Sequence, residues 1–258
     1  MLLTIDIGNS NTLLGLYDGR ALLNHWRIRT DILRMPDEYG IVIVGLFEQA
    51  NFDPSHVDAI CMSSVVPRLT KIFIRACERY FDINPFLVDA SVKMNIEIKI
   101  EHPTMIGADR LANAVAARCL HNGAVCIIDL GTATTFDVVT QKGYFIGGAI
   151  APGIGISANA LFSKAAKLPH VEFVCPPSPI GSNTIHAVQS GLLYGYIGLI
   201  EGIITRFRAE LEDDMKVIAT GGLARNFSEH ISMIDDVNPW LTSEGLRFIW
   251  DMNHKEQD

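Results

Sequence analysis

Apolar positions along this chain fall into short buried runs and longer helical stripes, and one arrangement of them occurs twice. Leu3-Thr4-Ile5-Asp6-Ile7 reads as a buried strand with a carboxylate at its mouth; a polar turn, Gly8-Asn9-Ser10-Asn11-Thr12, follows, and Leu13 to Tyr17 forms a second apolar run. The same order returns in Cys126-Ile127-Ile128-Asp129-Leu130, then Gly131-Thr132-Ala133-Thr134-Thr135, then Phe136 to Thr140. At one constant offset Asp6 falls on Asp129, Gly8 on Gly131 and Thr12 on Thr135. Each copy predicts a strand, a tight turn and a second strand.

Other elements follow from the same pattern. A hairpin turns through Asp18-Gly19, and His25 to Ile28 predicts a third strand. Met35-Pro36-Asp37-Glu38 is a proline-first, acidic start for a helix over Pro36 to Gln49. Val57 to Met62 predicts a strand ending in Ser63-Ser64, and Pro67 to Tyr80 a helix, with a short strand at Phe86-Leu87-Val88. The periodicity of Leu111, Ala114, Val115 and Arg118 predicts a helix over Pro103 to His121. In the second half, Lys216 to Thr220 predicts a strand that leads through Gly221-Gly222 into a helix near Ala224, the counterpart of Cys61-Met62-Ser63-Ser64. The cluster Pro176-Pro177-Ser178-Pro179 predicts a rigid loop before a long helix from Thr184 to Phe207, and Leu241 to Met252 a final amphipathic helix. Together these predict an α/β protein of two similar lobes with a phosphate-binding cleft between them. We place the lobes at residues 1–117 and 118–258, the last helix packing back on the first lobe.

Composition narrows the class. The chain has 258 residues, 48% apolar and 19% charged, which is globular. A net charge of -8 argues against nucleic acid as a partner but not against ATP, which needs only local donors and a cation. The five cysteines, Cys61, Cys77, Cys119, Cys126 and Cys175, are scattered without a C-x-x-C, which predicts reduced thiols and a cytoplasmic protein. Met1 opens directly into a strand, so no secretory leader is expected. Gly191 to Ile204 carries glycines at 191, 195, 198 and 202 on one helical face, as a membrane helix can. Its apolar run is short for a bilayer and holds Glu201, so we expect a buried helix whose glycine face admits another backbone.

Candidate chemistry gathers around the repeated turns. Glycine lets backbone N–H groups approach a phosphate, hydroxyls donate to its oxygens, and the carboxylates of Asp6 and Asp129 can hold a cation. Gly107-Ala108-Asp109-Arg110 opens a helix; Asp109 is either a first-turn acid favoured by the helix dipole or a base in the cleft, with Arg110 gripping an anion. Gly147-Gly148-Ala149-Ile150-Ala151-Pro152-Gly153-Ile154-Gly155 is either a closely packed strand and turn or a pocket wall. Thr220-Gly221-Gly222 could cradle the ribose side of a nucleotide. The eight histidines show no metal spacing, and there is no P-loop and no G-x-S-x-G elbow.

These motifs resemble the actin, sugar-kinase and heat-shock ATPase superfamily, and within it the type III pantothenate kinases. Asp6 to Thr12 is similar to that family's first phosphate loop, Gly107 to Arg110 to its G-x-D-R signature, and Asp129 to Thr135 to its D-x-G-T-A-x-T loop. Gly147-Gly148 with Pro152-Gly153, Ile180 to Thr184, Ser63 to Pro67, Leu168-Pro169 and Thr220 to Gly222 continue the likeness over nearly the whole chain. The resemblance implies two RNase H-like lobes and ATP-dependent phosphorylation of pantothenate, the first step of coenzyme A synthesis. It implies that Asp6, Ile7, Gly8, Asn9, Ser10, Asn11, Thr12, Leu13 and Thr132 bind ATP, with Asp6 near Mg²⁺. Gly107, Ala108, Asp109, Arg110 and Thr184 would bind pantothenate, Asp109 as the base, and Asp129 would hold K⁺ or NH₄⁺. A homodimer is implied, with Thr184 reaching the neighbouring subunit's substrate. Many members carry a Tyr where this chain has Ile100. The rival readings are another kinase or phosphatase of the superfamily, and a non-catalytic regulator on the same fold.

Overall fold

The structure is a computed structural model that describes residues 1–211 and 214–254. In chain order it contains β1 (Leu2–Ile7), β2 (Asn11–Asp18), β3 (Ala21–Arg29), α1 (Pro36–Gln49), β4 (Ala59–Ser64), α2 (Pro67–Phe81), β5 (Phe86–Leu87), β6 (Glu97–Ile98), α3 (Ala108–Leu120) and β7 (Ala124–Leu130). There follow β8 (Ala133–Val139), β9 (Tyr144–Pro152), α4 (Ile154–Lys164), α5 (Thr184–Leu211), β10 (Met215–Thr220), α6 (Ala224–Ser228), β11 (Asp236–Val237) and α7 (Leu241–His254). Two compact units result. The first holds Met1–His121, Gly143–Phe145 and the described residues from Trp240 onward; the second holds the described residues of Asn122–Lys142 and Ile146–Pro239. Position 117/118, the expected lobe boundary, lies inside α3, and 255–258 lie outside the described residues.

In the first unit the strand order is β3-β2-β1-β4-β5, with β1 antiparallel to β2 and parallel to β4. Because side chains alternate along a strand, β1 serves two layers. Leu3, Ile5 and Ile7 pack with Tyr39, Ile43 and Phe47 of α1 and with Leu69 and Phe73 of α2. On the opposite face Leu2 packs with Ala108, Ala112 and Val115 of α3 and with Leu246 and Ile249 of α7. Alternation puts Thr4 and Asp6 on that second face. The helix pair covering it is set very close: a Cβ on Gly245 would come 1.9 Å from the Ala112 carbonyl oxygen. Hydroxyls pin α7 to the sheet and to α3 as well. Ser243 Oγ lies 2.7 Å from Thr4 Oγ1 and accepts from Tyr17 Oη at 3.0 Å, while Thr242 Oγ1 donates to Asn113 Oδ1 at 2.8 Å.

The second unit repeats the order as β9-β8-β7-β10-β11, with β7 antiparallel to β8 and parallel to β10. β6 adds to the near end of β9, pairing Glu97 with Tyr144 and Ile98 with Phe145, residues of the first unit. Cys126, Ile128, Leu130, Phe136 and Val138 form a core with Tyr196, Ile197, Ile200 and Ile204 of α5 and Phe227 of α6. The duplication read from the turns is therefore a duplication of sheet topology.

Three expectations change. The helix expected from Pro103 begins only at Ala108: Pro103–Met105 makes a 3₁₀ turn, Ile106 is extended, and Gly107 is the N-cap. The constant offset breaks inside the turns, because Ile7 pairs with Thr12 across four residues whereas Leu130 pairs with Thr134 across three. Thr12 thus corresponds in register to Thr134, not to Thr135, which instead faces Asp129 across the β7–β8 pair. Finally, α5 is long and apolar enough to cross a membrane by length and composition, yet its Ile197, Ile200 and Ile204 lie in the second unit's core. Among the described residues its glycine face receives no other backbone: nothing lies within 4 Å of a Cβ built on Gly191, Gly195 or Gly198.

Candidate functional site

In the first unit the predicted residues converge on the carboxyl edge of the sheet. The parallel strands β1 and β4 end there side by side, with Asp6 paired to Ser63 and Ile7 to Ser64. Ser63, fully buried, donates its hydroxyl to Asp6 Oδ1 at 2.6 Å, a short charge-assisted bond that fixes the carboxylate's direction. The turn that follows exposes Asn9, Ser10 and Asn11 at its tip, while Ile7 and Thr12 are buried beneath it. The tip is thus the part of the turn open to a ligand, and Ile7 and Thr12 lie beneath it. Thr12 Oγ1 is 3.0 Å from Thr30 Oγ1, which donates to the Gly8 carbonyl at 2.8 Å.

The start of α3 joins the same edge. A Cβ on Gly107 would lie 3.3 Å from Val65 Cγ1, just beyond the end of β4, and 2.4 Å from Asp109 Oδ1. Glycine is thus needed at 107, because the Asp109 carboxylate folds back over it and accepts the Arg110 N–H at 2.8 Å. Burial pushes the Asp109 carboxyl above the ordinary carboxylate range, opposed by the Arg110 N–H and the Arg110 guanidinium. That guanidinium lies 5.8 Å from the Phe145 ring centroid. A half-buried carboxyl with a raised pKa, beside a cation and at the rim of the strands, is suited to taking a proton from a substrate hydroxyl.

The second unit holds the other turn. Gly131 donates its N–H to the Ala133 carbonyl at 3.1 Å, and Gly153 donates to the Thr132 carbonyl at 3.2 Å. Thr132 is exposed at the tip, whereas Thr134 is buried and bonded to Tyr196 Oη. Asp129 pairs with Thr220, as Asp6 does with Ser63. Gly221 follows with φ +90°, and a Cβ there would come 2.5 Å from Asp129 Oδ1, so glycine lets this backbone close on the carboxylate. The glycine run also has packing duties: a Cβ on Gly148 would come 1.6 Å from the Phe136 carbonyl oxygen, and one on Gly153 2.4 Å from that of Thr132. Thr135 Oγ1, across from Asp129, is buried without a hydrogen-bond partner.

Thr184 is exposed at the first residue of α5. It lines a hollow of about 410 Å³ with Leu161, Leu168, Ala187 and Leu192. Ile100 is half-buried in the segment after β6. Among the described residues no group of three or more His, Cys, Asp or Glu could hold a metal ion. Ser63 and Thr30 were not among the site residues read from sequence. Ser63 had a signal, a hydroxyl closing the strand that matches Thr220; Thr30 had none, since its partners are carbonyls.

Comparison with known proteins gives a consistent result. The sequence profile of the type III pantothenate kinase family matches residues 2–206. A type III pantothenate kinase of Myxococcus xanthus is 49% identical over 254 residues, covering 98% of this chain and 99% of that one. One from Roseiflexus castenholzii is 49% identical over 255 residues, covering 99% and 100%. Among solved structures, a Campylobacter jejuni protein described as a conserved member of the Baf family of transcriptional activators superimposes with a TM-score of 0.63 at 18% identity, over 97% of this chain and 98% of that one. The polyphosphate/ATP-glucomannokinase of an Arthrobacter strain gives 0.53 at 13% identity, over 98% and 99%. At such identities the structures speak for the fold alone: the duplicated two-lobe fold of the sugar kinases.

Proposed function

The chain belongs to the type III pantothenate kinase family, and we propose that it transfers the γ-phosphoryl group of ATP to the hydroxyl of pantothenate, giving 4'-phosphopantothenate for coenzyme A synthesis. The observation that carries the reading at the level of residues is Asp109, a carboxyl with raised pKa held at the rim where Asp6 and the first turn also lie. Asp109 takes the proton from the pantothenate hydroxyl as the oxygen attacks the γ-phosphorus. Gly107, Ala108 and Arg110 hold the substrate, Arg110 by its guanidinium fork. Asn9, Ser10 and Asn11 meet the phosphates, and Thr132 contributes from the second turn. Such a transfer asks for positioning and charge neutralisation more than for covalent help.

Two cations belong to this reading. Mg²⁺ usually takes one or two carboxylates plus substrate phosphates, which suits the single carboxylate of Asp6, whose direction Ser63 fixes. When bound it neutralises phosphate charge. A monovalent cation, K⁺ or NH₄⁺, fits at Asp129, where the Thr135 hydroxyl is buried without a protein partner and can supply an oxygen. We further infer a homodimer through the α5 glycine face, with Thr184 of each copy serving its partner's substrate. Five unpaired cysteines support a cytoplasmic protein, whose activity should appear in the soluble fraction after lysis.

A coupled ADP-release assay with pantothenate and MgATP, in K⁺, NH₄⁺, Na⁺ and choline salts, tests the proposal. Turnover should need pantothenate and fall sharply in Na⁺ or choline, and Asp129→Asn should lose both turnover and cation response. Folded protein that makes no phosphopantothenate in any salt would instead favour a regulator on this fold; equal rates in all salts would remove the monovalent site alone.

A further inference from the structure

The first turn is an odd choice for an anion until its carbonyls are traced. Four residues, Gly8 to Asn11, carry four peptide oxygens, and a carbonyl aimed at a phosphate repels it where an N–H would bind it. Three of those oxygens are engaged from within the unit. Asn11 O accepts from Gly8 N at 3.1 Å, Ser10 O from Thr30 N at 3.0 Å, and Gly8 O from Thr30 Oγ1 at 2.8 Å. Thr30, the residue just past β3, makes two of these bonds. Its single hydroxyl proton goes to Gly8 O, so in the 3.0 Å pair with Thr12 it is Thr12 that donates. Thr12 is 0% and Thr30 9% exposed, which leaves little room for water to replace either hydroxyl.

The second turn shows what the hydroxyl adds. There the residue just past the third strand, β9, is Gly153, and it too braces the turn through its N–H, to Thr132 O at 3.2 Å. It has no side chain to give, and a Cβ would come within 2.5 Å of Gly131 O. The second turn is one residue shorter, and position 153 braces it through its N–H without a hydroxyl. The longer first turn has the same backbone tie plus the Thr30 hydroxyl.

We propose that Thr30 is a positioning residue for ATP: it holds the Gly8 and Ser10 carbonyls turned into the lobe, so that the turn meets the phosphates with N–H groups. This rests on reading the first turn as a phosphate loop. Thr30 touches no reacting atom, so its effect should fall on nucleotide affinity and not on pantothenate. In Thr30→Val the N–H tie to Ser10 remains while the Gly8 carbonyl and the Thr12 hydroxyl lose their partner. The KM for ATP should rise about tenfold, the worth of one buried bond left unmade, with the KM for pantothenate within about twofold of wild type. Thr30→Ser, which keeps the hydroxyl, should stay within about threefold for ATP. Thr30→Ala, which has no methyl to press on Gly8 O, repeats the test should the valine variant fail to fold. An unchanged KM for ATP in both Thr30→Val and Thr30→Ala overturns the proposal. So does an equal rise in both KM values, which would mean general loosening, or a serine variant as impaired as the valine. Wild-type protein with no ATP-dependent turnover would overturn the kinase reading itself, a separate result.

Discussion

Asp109 occupies the second position of α3, where an acid is favoured by the helix dipole whatever its chemistry. Energetics separate the two roles. A first-turn charge is worth about 0.3–1 kcal/mol of stability, whereas a general base contributes roughly 10²–10⁴-fold to rate. Burial complicates the first role. With its pKa raised, the folded protein keeps a proton that the unfolded chain has already released, so this site's contribution to stability is full at low pH and declines as the pH climbs from the ordinary carboxylate range through the raised value. Asp109→Asn removes the ionisable group and should melt no earlier than wild type by more than a few degrees at pH 7, while kcat falls by at least about a hundredfold. In the wild type, kcat/KM should decline as the pH falls through the raised pKa. An asparagine variant that turns over normally but melts early would return Asp109 to the helix-dipole role and leave Asp6 as the next candidate base.

At the scale of elements, the position of α3 is set by α7. Gly245 lies against the Ala112 carbonyl, so a larger residue must push the helices apart and carry the start of α3, with Asp109, away from the strand ends. Gly245→Val should lower the melting temperature by several degrees, as overpacking of about 1–3 kcal/mol does, and lower kcat with it. Normal melting and normal kcat together would show that α7 does not position α3. That contact was not legible in the sequence, since Gly245 and Ala112 are far apart in the chain and neither belongs to a motif. What periodicity could deliver, it did: the hairpins, α1, α2, α5 and α7 arise from patterns contained in one window. What it missed depended on distant partners. β6 is two residues whose only reason to be a strand is the edge of β9, and α4 follows a glycine run read as a strand and turn or as a pocket wall. At the candidate site, the positions of Asp6, Asp109 and Asp129 were legible because acids at strand ends and helix starts stand out locally. Ser63 carried only its likeness to Thr220 until the register set it beside Asp6.

For the whole molecule, the glycine face of α5 has no partner among the described residues at Gly191, Gly195 and Gly198, and Ile180 and Ile185 near its start are exposed. If that face joins two copies, sedimentation should show a dimer, and Gly195→Leu should shift it towards monomer with the far-UV spectrum preserved. A wild-type monomer at micromolar concentration would exclude the assembly, and with it any service of Thr184 to a partner's substrate. The return of α7 to the first unit has a consequence of another kind. The polypeptide is made from its amino end, so β1 to α3 leave the ribosome long before Leu241–His254, the helix that covers one face of their sheet. The second unit, whose segments lie wholly inside residues 122–239, can close its core during synthesis, while the unit made first must wait until Leu241–His254 is made for Leu246 and Ile249 to close over Leu2, Ala112 and Val115. Order of manufacture and order of completion run in opposite directions, and the nascent chain is most open to chaperones and proteases on the face that will carry Asp109.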